Sequence, residues 1–263
     1  MNTTFTYLNG RTVNRIGYGA MRLTGQPRNY GPYPDWEGGI ALLRQAREMG
    51  VMHIDTARAY GPYYNERLIA DALVDETGSY GDMFIATKGG VDKDATSMSR
   101  DTSPAALKAH VEDSLRDLRT NKIDLFYVHS PDGKTPVTES VATLDEMRTA
   151  GKIGMIGLSN VSKADVEAAL KVAPIAAVQN RYSAADPSNA ETEDMIDWLA
   201  EKGIAFVPHG PLGAHPMKHG ALTEPAAALR NLLARSPNIL VIPGTTSIAH
   251  LEQNAKAFDA EVA

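Results

Sequence analysis

Asp55, Tyr60, Lys88 and His129 are the residues of this chain whose types, taken together, make a proton-transfer set. A phenol ionises near pH ~10, too high for easy proton transfer at neutral pH. An ammonium such as Lys88 placed beside Tyr60 would favour the phenolate and lower that value. Asp55 would fix the lysine and keep it charged, and His129 could hydrogen-bond a substrate carbonyl oxygen. The four could then protonate an oxyanion as it develops, which is general-acid catalysis. Singly, each also fits a structural role. An aspartate at a strand end caps a turn, a lysine there is solvated, and a histidine or tyrosine packs. Their coincidence at the ends of three successive apolar runs favours chemistry.

Those runs belong to a repeating pattern. Short apolar segments at 15–20, 52–55, 83–88, 123–129, 154–159, 175–179, 204–209 and 239–242 read as strands. Amphipathic stretches at 37–49, 104–118, 137–150, 163–172, 191–201 and 226–234 read as helices. Ser103 before Pro104 is a helix start, and Gly50, Gly151 and Gly203 each close a helical stretch just before a strand. Eight strands with helices between them predict an α/β fold, a closed parallel (β/α)8 TIM barrel, as one domain over 1–263. Residues 5–8 and 11–13 around Asn9-Gly10 predict a hairpin capping the N-terminal mouth. The polar residues that end the strands would then share the opposite, C-terminal face, where barrel enzymes hold their sites. A doubly wound open sheet is the structural alternative, but Gly17-Tyr18-Gly19-Ala20 lacks the third glycine of its fingerprint.

The chain is 43% hydrophobic, enough apolar material to offset ordering entropy, so a disordered chain is excluded. Lys and Arg number 26 against 32 Asp and Glu, a net charge of −6, which argues against a general nucleic-acid binder. With no cysteine, disulfides, thiolate metal sites, iron–sulfur clusters and a cysteine nucleophile are ruled out. No stretch has the length and apolarity of a membrane span, and residues 1–10 lack a signal core, so a cytoplasmic protein without a membrane partner is expected. The histidines and carboxylates show no zinc-ligand spacing, and no metal is expected.

Seven segments, in order, resemble an aldo-keto reductase over nearly the whole length. They are Gly17-Tyr18-Gly19-Ala20-Met21, Gly50-Val51-Met52-His53-Ile54-Asp55-Thr56-Ala57, Ala86-Thr87-Lys88-Gly89, Val128-His129, Gly154-Met155-Ile156-Gly157-Leu158-Ser159-Asn160, Val178-Gln179-Asn180 and Ile242-Pro243-Gly244-Thr245-Thr246. The resemblance implies the barrel fold, a catalytic tetrad at Asp55, Tyr60, Lys88 and His129, a small-molecule carbonyl substrate, a monomer by default, and NADPH as hydride donor, with NADH the alternative. It also implies cofactor contacts along Gly19, Ala20 and Met21, and carboxamide contacts at Ser159, Asn160 and Gln179. The pyrophosphate would lie along Pro211, Leu212 and Gly213, the adenosine phosphate at Gly244, Thr245, Thr246 and Ser247, and the adenine at Asn254. A helix start at 244–247 would suit an anion. Residues 13–21 and 240–247 are most similar to the bacterial pyridoxal-reductase-like branch, which implies small aromatic or heterocyclic aldehydes.

The chain departs from the family pattern in three places. His209 stands where an aromatic ring commonly stacks on the nicotinamide. Gly244 and His250 stand where Lys and Arg commonly meet the 2′-phosphate, leaving the hydroxyls of Thr245, Thr246 and Ser247 for that task. Residues 214–225 are compressed and a long closing C-terminal loop is absent, which predicts an open, less selective mouth. Tyr30, Tyr33, Trp36, Tyr63 and Tyr64 are candidates for an apolar wall there, or for packing of their own loops. Arg58 could meet an anionic substrate group or, more simply, form a surface ion pair with a residue such as Glu66. Two other function classes stay open: an NADP(H)-binding, redox-sensing regulatory subunit, and a metal-dependent barrel hydrolase, for which only His129 and His209 end strands.

Overall fold

Helix starts and stops along this chain follow local side-chain chemistry. Asp35 accepts from the Gly38 amide at 3.0 Å to open α1 (Trp36–Glu48). Further on, Ser103 caps a helix with Pro104 in its first turn, and Ser162 forms a reciprocal capping box with Asp165. Gly50, Gly151 and Gly203 take φ of +78°, +79° and +67°, the left-handed turn that releases each helix into the next strand.

The computed structural model describes residues 2–183, 190–212 and 225–258. The strands before α1 are β1 (Thr4–Thr6), β2 (Thr12–Asn14) and β3 (Tyr18–Gly19). After α1 come β4 (His53–Asp55), α2 (Tyr64–Leu73), β5 (Phe84–Gly89), β6 (Val91–Lys93), β7 (Met98–Arg100) and α3 (Pro104–Asp117). The second half runs β8 (Ile123–Val128), α4 (Val137–Thr149), β9 (Ile153–Ser159), α5 (Lys163–Ala169), β10 (Ile175–Gln179), α6 (Ala190–Glu201), β11 (Ala205–Phe206), α7 (Pro225–Arg235) and α8 (Ile248–Ala255). Seven strands pair in parallel in the order β11-β10-β9-β8-β5-β4-β3.

The eighth position is filled by residues 239–242, which bridge both sheet edges: Ile239 to Phe206 and Val241 to Ile16. The amides of Leu240 and Val241 donate to the carbonyls of Phe206 and Arg15, and Gly17 N donates back to Val241 O. The ring closes as a (β/α)8 barrel, with the eighth strand held by single bridges rather than a ladder. Pro243 follows it directly and brings no amide to extend the pairing.

Two apolar layers result. One fills the barrel, with Phe84, Leu125, Met155, Val207 and Leu240; the other packs the strands against the helices. The β1–β2 hairpin plugs the N-terminal mouth as expected. Tyr7 stacks on Phe84 at 5.2 Å, and Arg11 donates to the carbonyls of Asp82 and Met83 just before β5. Arg15 is wholly buried and donates to the carbonyls of Leu233, Ser236 and Ile239, tying the end of α7 to the closing strand. The segment 64–73, not expected as a helix, is α2, and 91–100, not expected as a hairpin, is β6–β7. No described helix is long and apolar enough to cross a membrane.

Candidate active site

Because β4, β5, β8, β9 and β10 run parallel, their C-terminal residues open on one cleft of about 740 Å³, within the range typical of small-molecule sites. Lys88, on β5, is 1% exposed. Its Nζ donates to Asp55 Oδ1 at 2.5 Å and to the Thr56 carbonyl at 2.8 Å, and lies 3.5 Å from the Tyr60 hydroxyl. The second oxygen of Asp55 accepts from Gln179 Nε2 at 2.9 Å. The carboxylate is thus held from two sides, and the ion pair is buried with its hydrogen bonds made. His129 stands edge-on to Tyr60, with ring centroids 5.9 Å apart. Its Nδ1 is buried without a partner, leaving Nε2 as the nitrogen open to the cleft.

Electrostatics refine the expected proton chemistry. Burial raises the Tyr60 phenol above its ordinary value; Lys88 pulls it down but does not overcome burial. Lys88 thus acts in the expected direction, but burial, which residue spacing does not reveal, leaves the net value above the ordinary one and the resting group a protonated donor. Lys88 itself is favoured in the charged form, since Asp55 and Tyr60 outweigh its desolvation. His129 is pushed down to about 3 by burial, then by Lys88, His209 and Arg100, so its ring is neutral at pH 7.

Among residues expected to hold a cofactor, Gly19, Met21, Ser159, Asn160, Gln179, His209, Pro211, Leu212 and Gly244 line the cleft. A Cβ on Gly244 would lie 2.7 Å from the Gly19 carbonyl and one on Gly19 would lie 2.6 Å from the Ile242 carbonyl, so backbone packing holds both positions to glycine. Asn160 takes φ +58°. Its Nδ2 donates to the His129 carbonyl and to Ser159 Oγ, and its Oδ1 meets His209 Nε2 at 3.1 Å. The helix start nearby is capped by Ser162, not by Ser159 or Asn160. Ala20, Thr245 and Asn254 are buried away from the cleft surface; Ala20 O is taken by Asn65 Nδ2. Thr246 is exposed, while Ser247 caps α8 by accepting from His250 N. Gly213, most of the compressed stretch 214–225, and the chain end beyond 258 lie outside the described residues.

Two open readings are decided. Tyr30, Tyr33, Trp36, Tyr63 and Tyr64 do not line the cleft. Trp36 donates to Asp71 and so ties the start of α1 to α2, and Tyr63 lies under the Arg58 guanidinium of its own loop. The apolar lining comes instead from residues such as Met21, Ala59, Val91, Met98 and Leu212. Arg58 is neither exposed nor paired with Glu66: it is buried and bonded to Asp92, Asp113 and the Tyr63 hydroxyl. Glu66 is buried against Thr87. The cleft wall that went unread is the β6–β7 hairpin. Its one local signal was the aspartate turn, where Asp94 Oδ1 accepts from the amides of Thr96 and Ser97.

The sequence matches the model of the Aldo/keto reductase family over residues 15–224. It is 41% identical over 273 residues to pyridoxine 4-dehydrogenase of Escherichia coli (strain K12), covering 97% of this chain and 93% of that protein. Its structure resembles a glycerol dehydrogenase from Gluconobacter oxydans, with TM-score 0.81, 24% identity, and 97% and 90% of the two chains covered. It also resembles an aldo-keto reductase from Klebsiella pneumoniae in complex with NADPH, with TM-score 0.77, 24% identity, and 100% and 92% covered.

Proposed function

The chain belongs to the aldo/keto reductase family, and from that premise we propose that it reduces small aromatic or heteroaromatic aldehydes, pyridoxal among them, with NADPH and with Tyr60 as the proton donor. Membership makes it an oxidoreductase of carbonyl and alcohol groups; the donor, the acid and the substrate are our reading. The observation that carries it is the chain Gln179–Asp55–Lys88–Tyr60 ending on the cleft beside His129.

The cofactor fits the donor set. Ser159 and Gln179, both nearly fully buried, bring a hydroxyl and an amide to the cleft floor, the mixed donors and acceptors a carboxamide requires. Gly19 and Gly244 keep one wall free of side chains, and the first turn of α8 retains backbone amides without helical partners for a phosphate. When bound, the dihydronicotinamide supplies the hydride. Tyr60 gives its proton to the carbonyl oxygen as negative charge develops there. Lys88 stabilises the resulting phenolate, and Asp55 holds Lys88 in place. Neutral His129 offers its cleft-side nitrogen to the same oxygen and fixes the carbonyl. The proton lost by Tyr60 returns from solvent. In reverse, the phenolate takes the alcohol proton, so oxidation rises with pH.

The test follows NADPH absorbance with a panel of aldehydes including pyridoxal, for wild type and Tyr60→Phe. Turnover that the variant loses by 10²-fold or more supports the reading. NADPH binding without turnover would replace it with a cofactor-binding regulatory subunit, and absence of NADPH binding would remove it.

A further inference from the structure

The cleft carries charge that the proposed reduction leaves unused. The chain as a whole is at −6. Yet the cleft is lined by Arg22, Lys93 and Arg100 against one carboxylate, Asp55, which Lys88 already neutralises. Low-dielectric walls focus such a field into the opening. Arg22 lies toward Gly244, its Cγ 3.9 Å from where a Cβ on that glycine would stand. That is the end assigned to the cofactor's phosphates. Lys93 and Arg100 lie elsewhere, on the β6–β7 hairpin.

The hairpin's register separates its two faces. Val91 pairs with Arg100 and Lys93 with Met98, so these four side chains share one face, and all four line the cleft. Asp92 points to the other face and is clamped there. Arg58 binds it as an ion pair, and His110 Nε2 lies 3.5 Å from its second oxygen. The same histidine accepts from the Gly90 amide at 2.9 Å through Nδ1. One face is therefore anchored to the barrel, and the other is presented to the cleft with two apolar and two cationic side chains. Lys93 is steadied by donating to the Arg28 carbonyl. Arg100 has no carboxylate partner among the described residues and lines the same cleft as Tyr60 and His129. Met98 is 61% exposed, an apolar surface beside a pair of cations.

We propose that this face of β6–β7 is a specificity subsite for an anionic substituent, so that the preferred aldehydes carry a carboxylate or a phosphate remote from the carbonyl. The ring rests on Val91 and Met98, and the anion meets Lys93 and Arg100 while the aldehyde oxygen reaches Tyr60 and His129. The assignment deepens the reductase reading and rests on it.

The experiment measures kcat/KM at saturating NADPH for two pairs of aldehydes: 4-formylbenzoate with its methyl ester, and pyridoxal 5′-phosphate with pyridoxal. Wild type is compared with Arg100→Gln and with the double variant Lys93→Gln/Arg100→Gln. The anionic-to-neutral ratio should fall roughly tenfold in the double variant for at least one pair, and added salt should erode the ratio in wild type but not in the variant. The pair that responds tells carboxylate from phosphate. A ratio equal in all three proteins overturns the subsite, as does an equal loss on charged and neutral members. A raised NADPH Kd with the ratio intact would also overturn it, by giving the cations to the cofactor. Neutral aldehydes that turn over while charge goes unnoticed would sink only this assignment; wild type reducing none of the four would sink the reductase reading and the subsite with it.

Discussion

Lys88 Nζ stands 2.5 Å from Asp55 Oδ1 and is nearly sealed from solvent, so neither charge can be removed without stranding the other. In Lys88→Met the carboxylate keeps only the Gln179 amide as partner. Losing one member of a buried pair costs about 3–5 kcal/mol. Urea unfolding should register a loss of that order, and reductase kcat should fall at least roughly 10²-fold. Adding Asp55→Asn to Lys88→Met should return much of the stability and none of the activity. A double variant as unstable as the single would show that the pair is not coupled as described.

Tyr60 sits above its ordinary pKa because burial outweighs Lys88. The donor stays protonated through neutral and mildly alkaline pH. Reduction should show a flat kcat from about pH 6 to 9, while alcohol oxidation, which needs the phenolate, should climb across the same range. His129, already neutral above about 3, should add no break there. A reductive kcat that drops with a midpoint near 7 would contradict this ordering.

Arg58 joins three elements: its own loop after β4, Asp92 on β6 and Asp113 on α3. Arg58→Met removes the charge that holds Asp92 on the far face of the hairpin. The carboxylates left behind are partly solvated, so the expected loss is about 2–3 kcal/mol rather than the full cost of a buried orphan. Hydrogen exchange should quicken selectively in 91–100, and KM for the aldehyde should rise more than kcat falls. Unchanged exchange in that segment would mean that the hairpin holds itself.

The sequence made the barrel legible because apolar runs and helical spacing alternate with glycine stops at Gly50, Gly151 and Gly203. The residues Asp55, Lys88 and His129 were legible for a related reason, each standing where an apolar run ends. What escaped was geometry that depends on contacts distant in sequence. Arg58 reads as a surface residue until Asp92 and Asp113 are brought beside it by β6 and α3. Trp36 stays open between cleft wall and packing until Asp71, on α2, is placed beside it. The balance of burial against Lys88 at Tyr60 likewise cannot be read from spacing. The α2 segment could have been found: Leu68, Ile69, Ala72 and Leu73 follow helical spacing and are buried.

His53 offers a test of the barrel interior itself. Its ring stands edge-on to Phe84 at 5.0 Å, fully buried, and neither nitrogen has a partner. Burial lowers its pKa from 6.5 to about 4, so the unfolded chain binds a proton that the native chain refuses between those values. The stability it contributes is complete above about pH 6.5 and is lost as pH falls toward 4, on the order of 3 kcal/mol. Glu66 works in the opposite sense: burial raises it to about 7, so its contribution is present below 4.5 and lost as pH rises through 7. His53→Leu isolates the first effect. Comparing urea unfolding at pH 7 and pH 4.5, wild type should lose about 2–3 kcal/mol more between the two pH values than the variant. Equal losses in the two proteins would mean that His53 is hydrated or protonated in the native barrel.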